Sequence, residues 1–272
     1  MNLQPFDNTD LDNFVLANKR WAEYHKEYQS LGISARNNLW IAPQDLNALV
    51  SAGGAATLSV NGEIVAQVGS GGGCCGETVT ASGESFLIEY IWHLLKVNEQ
   101  IIAALPRPVL KGEVHDLAVI EGTVSIGKGT RILPGVYIEG NAVIGENCKI
   151  GPNCYIRGNT SIGDSCHIGQ SVEIKNCIIG NKTNVGHLSY VGDSILGHEV
   201  NLGAGTTTSN LRHDGSNHKS EISGELVDTG RRKFGSVIAN GVHTGIHTSL
   251  YPGRKLGKGV TTLPGEVITI DK

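Results

Sequence analysis

Aromatic side chains make up only 5% of the 272 residues, and there is a single methionine. So low a share of rings suits a coil whose interior is aliphatic. The sequence has no apolar run of about eighteen residues and no positively charged leader before an apolar segment. Neither a membrane-spanning helix, a membrane partner nor a targeting signal is expected, and the cytoplasm is the default compartment. A formal net charge of -4 without a basic block gives no surface for nucleic acid. The six cysteines lack zinc-finger spacing: Cys74 and Cys75 are adjacent, Cys148, Cys154 and Cys166 recur in one slot of a repeat, and Cys177 follows it. Packing accounts for the three that recur, and reduced structural thiols are expected.

What is present is a beat of six. Isoleucine stands at positions 126, 132, 138, 144, 150, 156, 162, 168 and 174, and a small residue lies two places before each: Val124, Thr130, Val136, Ala142, Cys148, Cys154, Thr160, Cys166 and Val172. A 3.6-residue period drifts off this pattern, and ordinary strand alternation does not require it. Hexads of this kind make a parallel β-helix, with three six-residue sides per coil and residues eighteen apart stacked on successive coils. The isoleucines fill the prism and the small residues turn its corners. Glycine is abundant, at 37 residues, which suits such corners.

Residues 1–105 carry no hexads and read as a small α/β segment. Asp10 or Asp12 can cap a helix whose stripe is Phe14, Ala17, Trp21 and Tyr24, with Gly32 as its stop. A second helix is expected from Pro43 to Leu49, then a hairpin of Ala56–Val60 and Glu63–Val68 about Asn61-Gly62. Gly71, Gly73 and Gly76 fit G-x-G-x-x-G, but no Lys-Ser/Thr follows and the next helix is too late for a dinucleotide fold, so the tract reads as a flexible connection. A helix is expected over 85–105, ended by Pro106, with an apolar face whose nearest partner is the first coils of the repeat. The β-helix domain follows from 106 to 272.

After Ile174 the aliphatics fall at Ile179, Val185, Val191, Leu196 and Leu202, so two spacings of five interrupt the sixes. A shortened side re-aims the side chains at its corner. The segment 206–232 is polar and reads as a projecting loop, a candidate binding element. The beat returns at Ile238, Thr244, Leu250, Leu256, Thr262 and Ile268.

Glycine usually follows the isoleucine, but Arg157 and Lys175 replace it eighteen residues apart, which stacks two cations on one wall. Such a pair is a clamp for phosphate or carboxylate; the competing reading is a solvated pair supported by Glu139 or Glu173. His187, in the first irregular coil, suits a general base. Tyr190, Asn201 and Asn210 lie near it in sequence as groups to orient a sugar. A zinc site of the γ-carbonic anhydrase type has His187, His198, His243 and His247 to draw on, but their spacings do not match one.

Arg157, Val172-Glu-Ile-Lys175, His187-Leu-Ser-Tyr-Val-Gly-Asp193, Val200-Asn-Leu-Gly-Ala-Gly-Thr206 and Asn210 carry a resemblance. They are similar, in order and spacing, to the acetyltransferase half of the bifunctional N-acetylglucosamine-1-phosphate uridylyltransferase/glucosamine-1-phosphate acetyltransferase (GlmU) family. The resemblance implies a left-handed β-helix, against the usual hand of parallel crossovers, and a homotrimer with sites between neighbouring prisms. It implies acetyl-CoA as acyl donor, an amino-sugar phosphate as acceptor and no required metal, within amino-sugar nucleotide biosynthesis. By the same resemblance His187 is the general base, Arg157 and Lys175 hold phosphate and sugar, Tyr190 and Asn201 line the sugar site, and Ala204 meets acetyl-CoA. Asn210 lies near the acetyl group, and Lys219 matches a second lysine more loosely. The sequence departs from the family at Leu211, where an aromatic residue is common, and in lacking the basic C-terminal tail. Arg212-His213 before Asp214-Gly215 and Arg231-Arg-Lys-Phe-Gly235 are similar to archaeal-type relatives, as is Trp92-His-Leu-Leu-Lys-Val-Asn98 to their linking helix. The uridylyltransferase signature is absent from 1–105, which implies a reduced nucleotidyltransferase-like half without uridylyl transfer. A non-catalytic sugar-phosphate binding or assembly protein is the alternative.

Overall fold

The computed structural model describes residues 1, 3–6, 11, 14–52, 55–69 and 76–272. Asp10 and Asp12 as caps, most of the glycine tract, and Cys74 and Cys75 lie outside the described residues. From Val109 onward the chain forms a parallel β-helix whose walls are sheets of eight, six and eight strands. In the order of a coil, the first wall begins at Val109–Leu110, the second at Glu113–Val114 and the third at Val119–Glu121. The class is the one expected: mainly β, a left-handed parallel β-helix with a small N-terminal α/β segment.

Register follows the beat. Ile126, Ile144 and Ile162 stack on the first wall, Ile132, Ile150 and Ile168 on the second, and Ile138, Ile156 and Ile174 on the third. All nine are at most 2% exposed, and burying each side chain contributes about 1.5–3 kcal/mol. The small residues sit inside the corners, and several also bond coil to coil. Thr130 Oγ1 donates to the Gly145 carbonyl at 2.6 Å, Cys148 Sγ to Gly163 at 3.1 Å and Cys166 Sγ to Gly180 at 3.1 Å. The four described cysteines are free and buried. Ile238, Leu250, Leu256 and Ile268 resume the core after the insertion.

On two walls glycine usually follows the inward isoleucine directly, and on the third it comes one residue later, at Gly122, Gly140 and Gly158. A Cβ on Gly127, at the end of the first wall, would lie 2.5 Å from the Gly145 backbone; on Gly169, ending the second, it would lie 1.9 Å from Gly186 O. The third wall instead ends in a column of side chains, Glu121, Glu139, Arg157 and Lys175, and then Gly192. Arg157 and Lys175 therefore do not break a rule general to the prism; they stand where coils leave room for side chains.

The N-terminal segment differs from expectation in two places. Helix α1 is Trp21–Ser30, and the chain before it turns through a small hairpin of Val15–Leu16 and Lys19–Arg20 with Ala17 and Asn18 at φ 48° and 62°. Helix α2 spans Pro43–Ser51, and the expected hairpin forms about Asn61 and Gly62, both at positive φ. The helix expected over 85–105 is shorter: Phe86–Leu87 pairs antiparallel with Leu39–Trp40, and α3 covers His93–Ala103. Pairing of the chain with a distant strand outweighs the helical spacing of Phe86, Leu87 and Tyr90.

Helix α3 lies against the middle of the prism rather than its first coils. Its apolar face joins Ile178, Ile195 and Val237, which point outward from the first wall. Its polar contacts run along the corner between the third and first walls: Asn141 Nδ2 donates to Ile102 O at 3.3 Å, and Asn98 Nδ2 donates to Asn159 O at 3.1 Å.

Candidate active site

The two shortened sides occur at that same corner. Ile162, Ile179 and Leu196 are in register, as are Ile168, Val185 and Leu202, so these coils have seventeen residues rather than eighteen. The lost residue is at the turn out of the third wall, where Asn176 and Asp193 take φ of 53° and 49°. A left-handed corner suits Asn and Asp, whose short polar side chains bond locally. The corner at His187 is unshortened, with Leu188 left-handed as Ser171 is one coil earlier.

Asp193 is the centre of the cluster that results. Its carboxylate is nearly buried, and Lys175 Nζ lies 2.6 Å from Oδ2. Asn210 Nδ2 donates to the same oxygen at 2.6 Å and to Tyr190 Oη at 3.0 Å. Asn176 Nδ2 donates to Oδ1 at 3.1 Å. One coil earlier Arg157 pairs with Glu173 at 2.7 Å. The stacked cations thus find their anions within the chain, which answers the repulsion between like charges one coil apart. The two pairs differ in adaptability. Arg157 and Glu173 are about a third exposed, whereas Lys175 is 13% and Asp193 3% exposed. An incoming anion displaces the first pair at lower cost, while Lys175 stays fixed with further N–H donors to offer.

Gly192 makes the room for this arrangement. A Cβ there would stand 2.5 Å from Tyr190 Oη and 2.7 Å from Asn210 Nδ2. Burial, with the charge of Asp193 added, pushes the Tyr190 phenol above its ordinary value of 10.0, so it remains a neutral hydroxyl at physiological pH. Asn210 is held from the insertion: its carbonyl accepts from Phe234 N–H at 3.1 Å and lies 2.9 Å from His218 Nε2. Burial lowers the His218 imidazole below 6.5. Because the amide nitrogen of Asn210 already serves Tyr190 and Asp193, an oxyanion would compete with them for it.

The remaining sequence candidates lie elsewhere on the prism. His187 is exposed at the corner between second and third walls, its carbonyl accepting Ser189 Oγ at 2.8 Å and Gly205 N–H at 3.1 Å. Ala204 is at the same corner one coil on, and its carbonyl accepts His247 N–H at 2.8 Å. Asn201 is exposed on the second wall beside Asn184. His187 and the Arg157–Lys175 pair therefore stand at opposite ends of the third wall. Lys219 is in the insertion, which does not run as a plain loop: Lys219–Ile222 and Glu225–Asp228 form an antiparallel hairpin. Lys219 pairs with Asp228, and the hairpin leans on Gly253 and Lys255 through Ser220 Oγ and Glu221 O. Thr207–Thr208, within the segment expected to be loop, is still a strand of the third wall. Of the four histidines considered for zinc, His198 Nδ1 accepts from Asn181 N–H at 2.9 Å and His243 continues the second wall beside Asn201. Among the described residues no three His, Cys, Asp or Glu side chains converge as metal ligands.

Glu173 is the carboxylate the sequence offers as support for the cation pair, whereas Asp193 and Asn176 were not singled out, though they fall within or beside the quoted motifs. The signal was the shortened corner itself, which names Asn176 and Asp193 as its two left-handed residues.

A family model described as the GMPPB C-terminal domain matches residues 138–251. The chain is 39% identical over 180 residues to a bifunctional sugar-1-phosphate nucleotidylyltransferase/acetyltransferase of Sulfurisphaera tokodaii, covering 66% of this chain and 45% of that protein. It is 42% identical over 166 residues to the bifunctional protein GlmU of Methanococcus aeolicus, covering 61% of this chain and 40% of the relative. The chain spans less than half the length of these relatives. A solved GDP-perosamine N-acetyltransferase variant from Caulobacter crescentus aligns at 15% identity with a TM-score of 0.24, over 70% of this chain and 64% of that one, too distant to bear on the site. The similarity to the GlmU-type family, first carried by the motifs from Arg157 to Asn210, is borne out by relatives 37–42% identical to this chain.

Proposed function

We propose that this chain is an acetyl-CoA-dependent N-acetyltransferase acting on a hexosamine 1-phosphate. The observation that carries the reading is the Lys175–Asp193–Asn210–Tyr190 cluster beside Arg157, built where the coil is shortened. The phosphate displaces Glu173 from Arg157 and takes the free donors of Lys175, while Tyr190 and Asn201 bind the sugar. His187 takes the proton of the amine as nitrogen attacks the thioester carbonyl and the coenzyme A thiolate leaves. Backbone N–H groups or Asn210 stabilise the oxyanion, and Ala204 meets the acyl donor. Lys219 serves as a substrate ligand only if the insertion hairpin moves or a neighbouring prism presents it. The working unit is a homotrimer in the cytoplasm, with sites between prisms; no metal takes part. Residues 1–105 are a reduced nucleotidyltransferase-like half without uridylyl transfer.

Coenzyme A release is measured with acetyl-CoA and glucosamine 1-phosphate or galactosamine 1-phosphate. Turnover with one is expected, and none with either from folded protein would refute the reading. His187→Ala is expected to lower kcat about 10²-fold or more. The internal neutralisation of both cations favours a second reading, a sugar-phosphate binding protein without catalysis. Binding of the hexosamine 1-phosphate by calorimetry without coenzyme A release would select it.

A further inference from the structure

The cluster around Asp193 does not end at the prism. Asn176 Nδ2, which donates to Asp193 Oδ1 at 3.1 Å, also donates to Glu99 Oε1 at 2.7 Å. Glu99 is on α3, and Arg231, at the return of the insertion, donates from Nη2 to Glu99 Oε1 at 2.5 Å. Arg231 is 17% and Glu99 29% exposed. Three segments distant in sequence thus meet in one line, Arg231 to Glu99 to Asn176 to Asp193, and Asp193 sets Lys175 and Asn210 on its other oxygen.

Each link has a physical reason. Asn176 is at the shortened corner with left-handed backbone, so its amide points off the wall between two carboxylates. A single amide nitrogen with two hydrogens satisfies one acceptor on each side. Without Glu99 that amide turns freely about its side-chain torsions, and Asp193 loses the donor that fixes its Oδ1. Without Arg231 the Glu99 carboxylate loses its counter-charge beside Asp193. Hydrogen bonds to charged groups are the stronger class, and in a connected network the loss of one is felt by its neighbours.

We infer that Glu99 of α3 is a positioning residue for the sugar-phosphate site, acting through Asn176 on Asp193 and so on Lys175 and Asn210, with Arg231 holding Glu99 in place. This rests on the function proposed above and deepens it: the N-terminal segment is a working part of the acetyltransferase site.

The test is a double-mutant cycle on Glu99 and Asn176, read as KM for the hexosamine 1-phosphate and for acetyl-CoA. Glu99→Ala and Asn176→Ala are each expected to raise the sugar-phosphate KM about tenfold, with acetyl-CoA KM within about twofold. The double variant is expected to be no worse than either single one, since both break the same line. Glu99→Gln, which keeps an acceptor for Asn176, is expected to recover most of the loss. Asn98→Ala removes the neighbouring bond from α3 to Asn159 and controls for docking of the helix. It is expected to lower Tm and leave the sugar-phosphate KM unchanged. An unchanged KM in Glu99→Ala, a rise of equal size in Asn98→Ala, or additive effects in the double variant would overturn the positioning role alone. A wild-type protein that neither binds nor acetylates a hexosamine 1-phosphate would remove the functional reading and this role with it.

Discussion

The eighteen-residue coils from Ile126 to Ile174 and the seventeen-residue coils that follow share one aliphatic core but differ at a single corner. In the longer coils the turn out of the third wall runs through glycine, with Gly140 and Gly158 at φ 94° and 69°. In the shorter ones Asn176 and Asp193 make that turn, and their side chains meet cations, amides and a foreign helix. Removing one residue per coil leaves the prism intact and converts a corner into a polar site. Stability and chemistry are thereby separated along one axis, and substitutions in the two regions should fail in different ways.

The largest effect is expected at Asp193→Ala. It leaves the largely buried Lys175 without its counter-charge and frees Asn176 and Asn210, a loss of about 3–5 kcal/mol by chemical denaturation together with weakened sugar-phosphate binding. Ile156→Ala in a regular coil is expected to cost about 2–5 kcal/mol by the same measurement, with sugar-phosphate KM unchanged in the folded protein. Gly192→Ala should reverse that pattern: its Cβ pushes Tyr190 and Asn210 apart, raising KM while denaturation shifts by about 1–3 kcal/mol at most. If Gly192→Ala and Ile156→Ala behave alike, the separation is wrong.

The smallest effect is one of pH at the neck of the insertion. Burial, reinforced by the charge of Arg212, holds His218 below 6.5, against the hydrogen bond to Asn210 O and the charge of Asp193. The unfolded chain therefore binds the proton more readily, so this contribution is complete above about pH 6.5 and is lost as pH falls through the folded value. Tm of the wild type should drop more between about pH 7 and 5 than that of His218→Gln. An equal drop would remove His218 from the account.

The β-helix was legible because its rule is repeated: each isoleucine restates the register, and the breaks at Ile179 and Leu196 located the shortened corner. Arg157 and Lys175 stood out for the same reason, as cations in a slot usually held by glycine, whereas Tyr190 and Asn210 were named from their nearness to His187 and from the family resemblance. His187 was read as part of the disturbance, yet its own corner is regular: the spacings of five run from Ile174 to Ile179 and from Val191 to Leu196, while the six from Val185 to Val191 holds His187. Asp193 closes a quoted motif, and its burial, which gives it its place in the cluster, has no signature in the sequence. Arg231 opens a quoted motif, but nothing local tied it to Glu99 or Glu99 to Asn176, since these contacts span 132 and 77 residues. In the N-terminal segment Phe86 and Leu87 fitted a helix by spacing, and only their pairing with Leu39–Trp40 made them a strand.

The most direct measurement is a structure with glucosamine 1-phosphate and acetyl-CoA bound. The account predicts the phosphate on Arg157 and Lys175, with Arg157 released from Glu173, Asp193 still holding Lys175, and the amine within hydrogen-bond reach of a His187 side chain of the same or a neighbouring prism. A phosphate bound away from both cations, or an amine with no His187 near it, would contradict it.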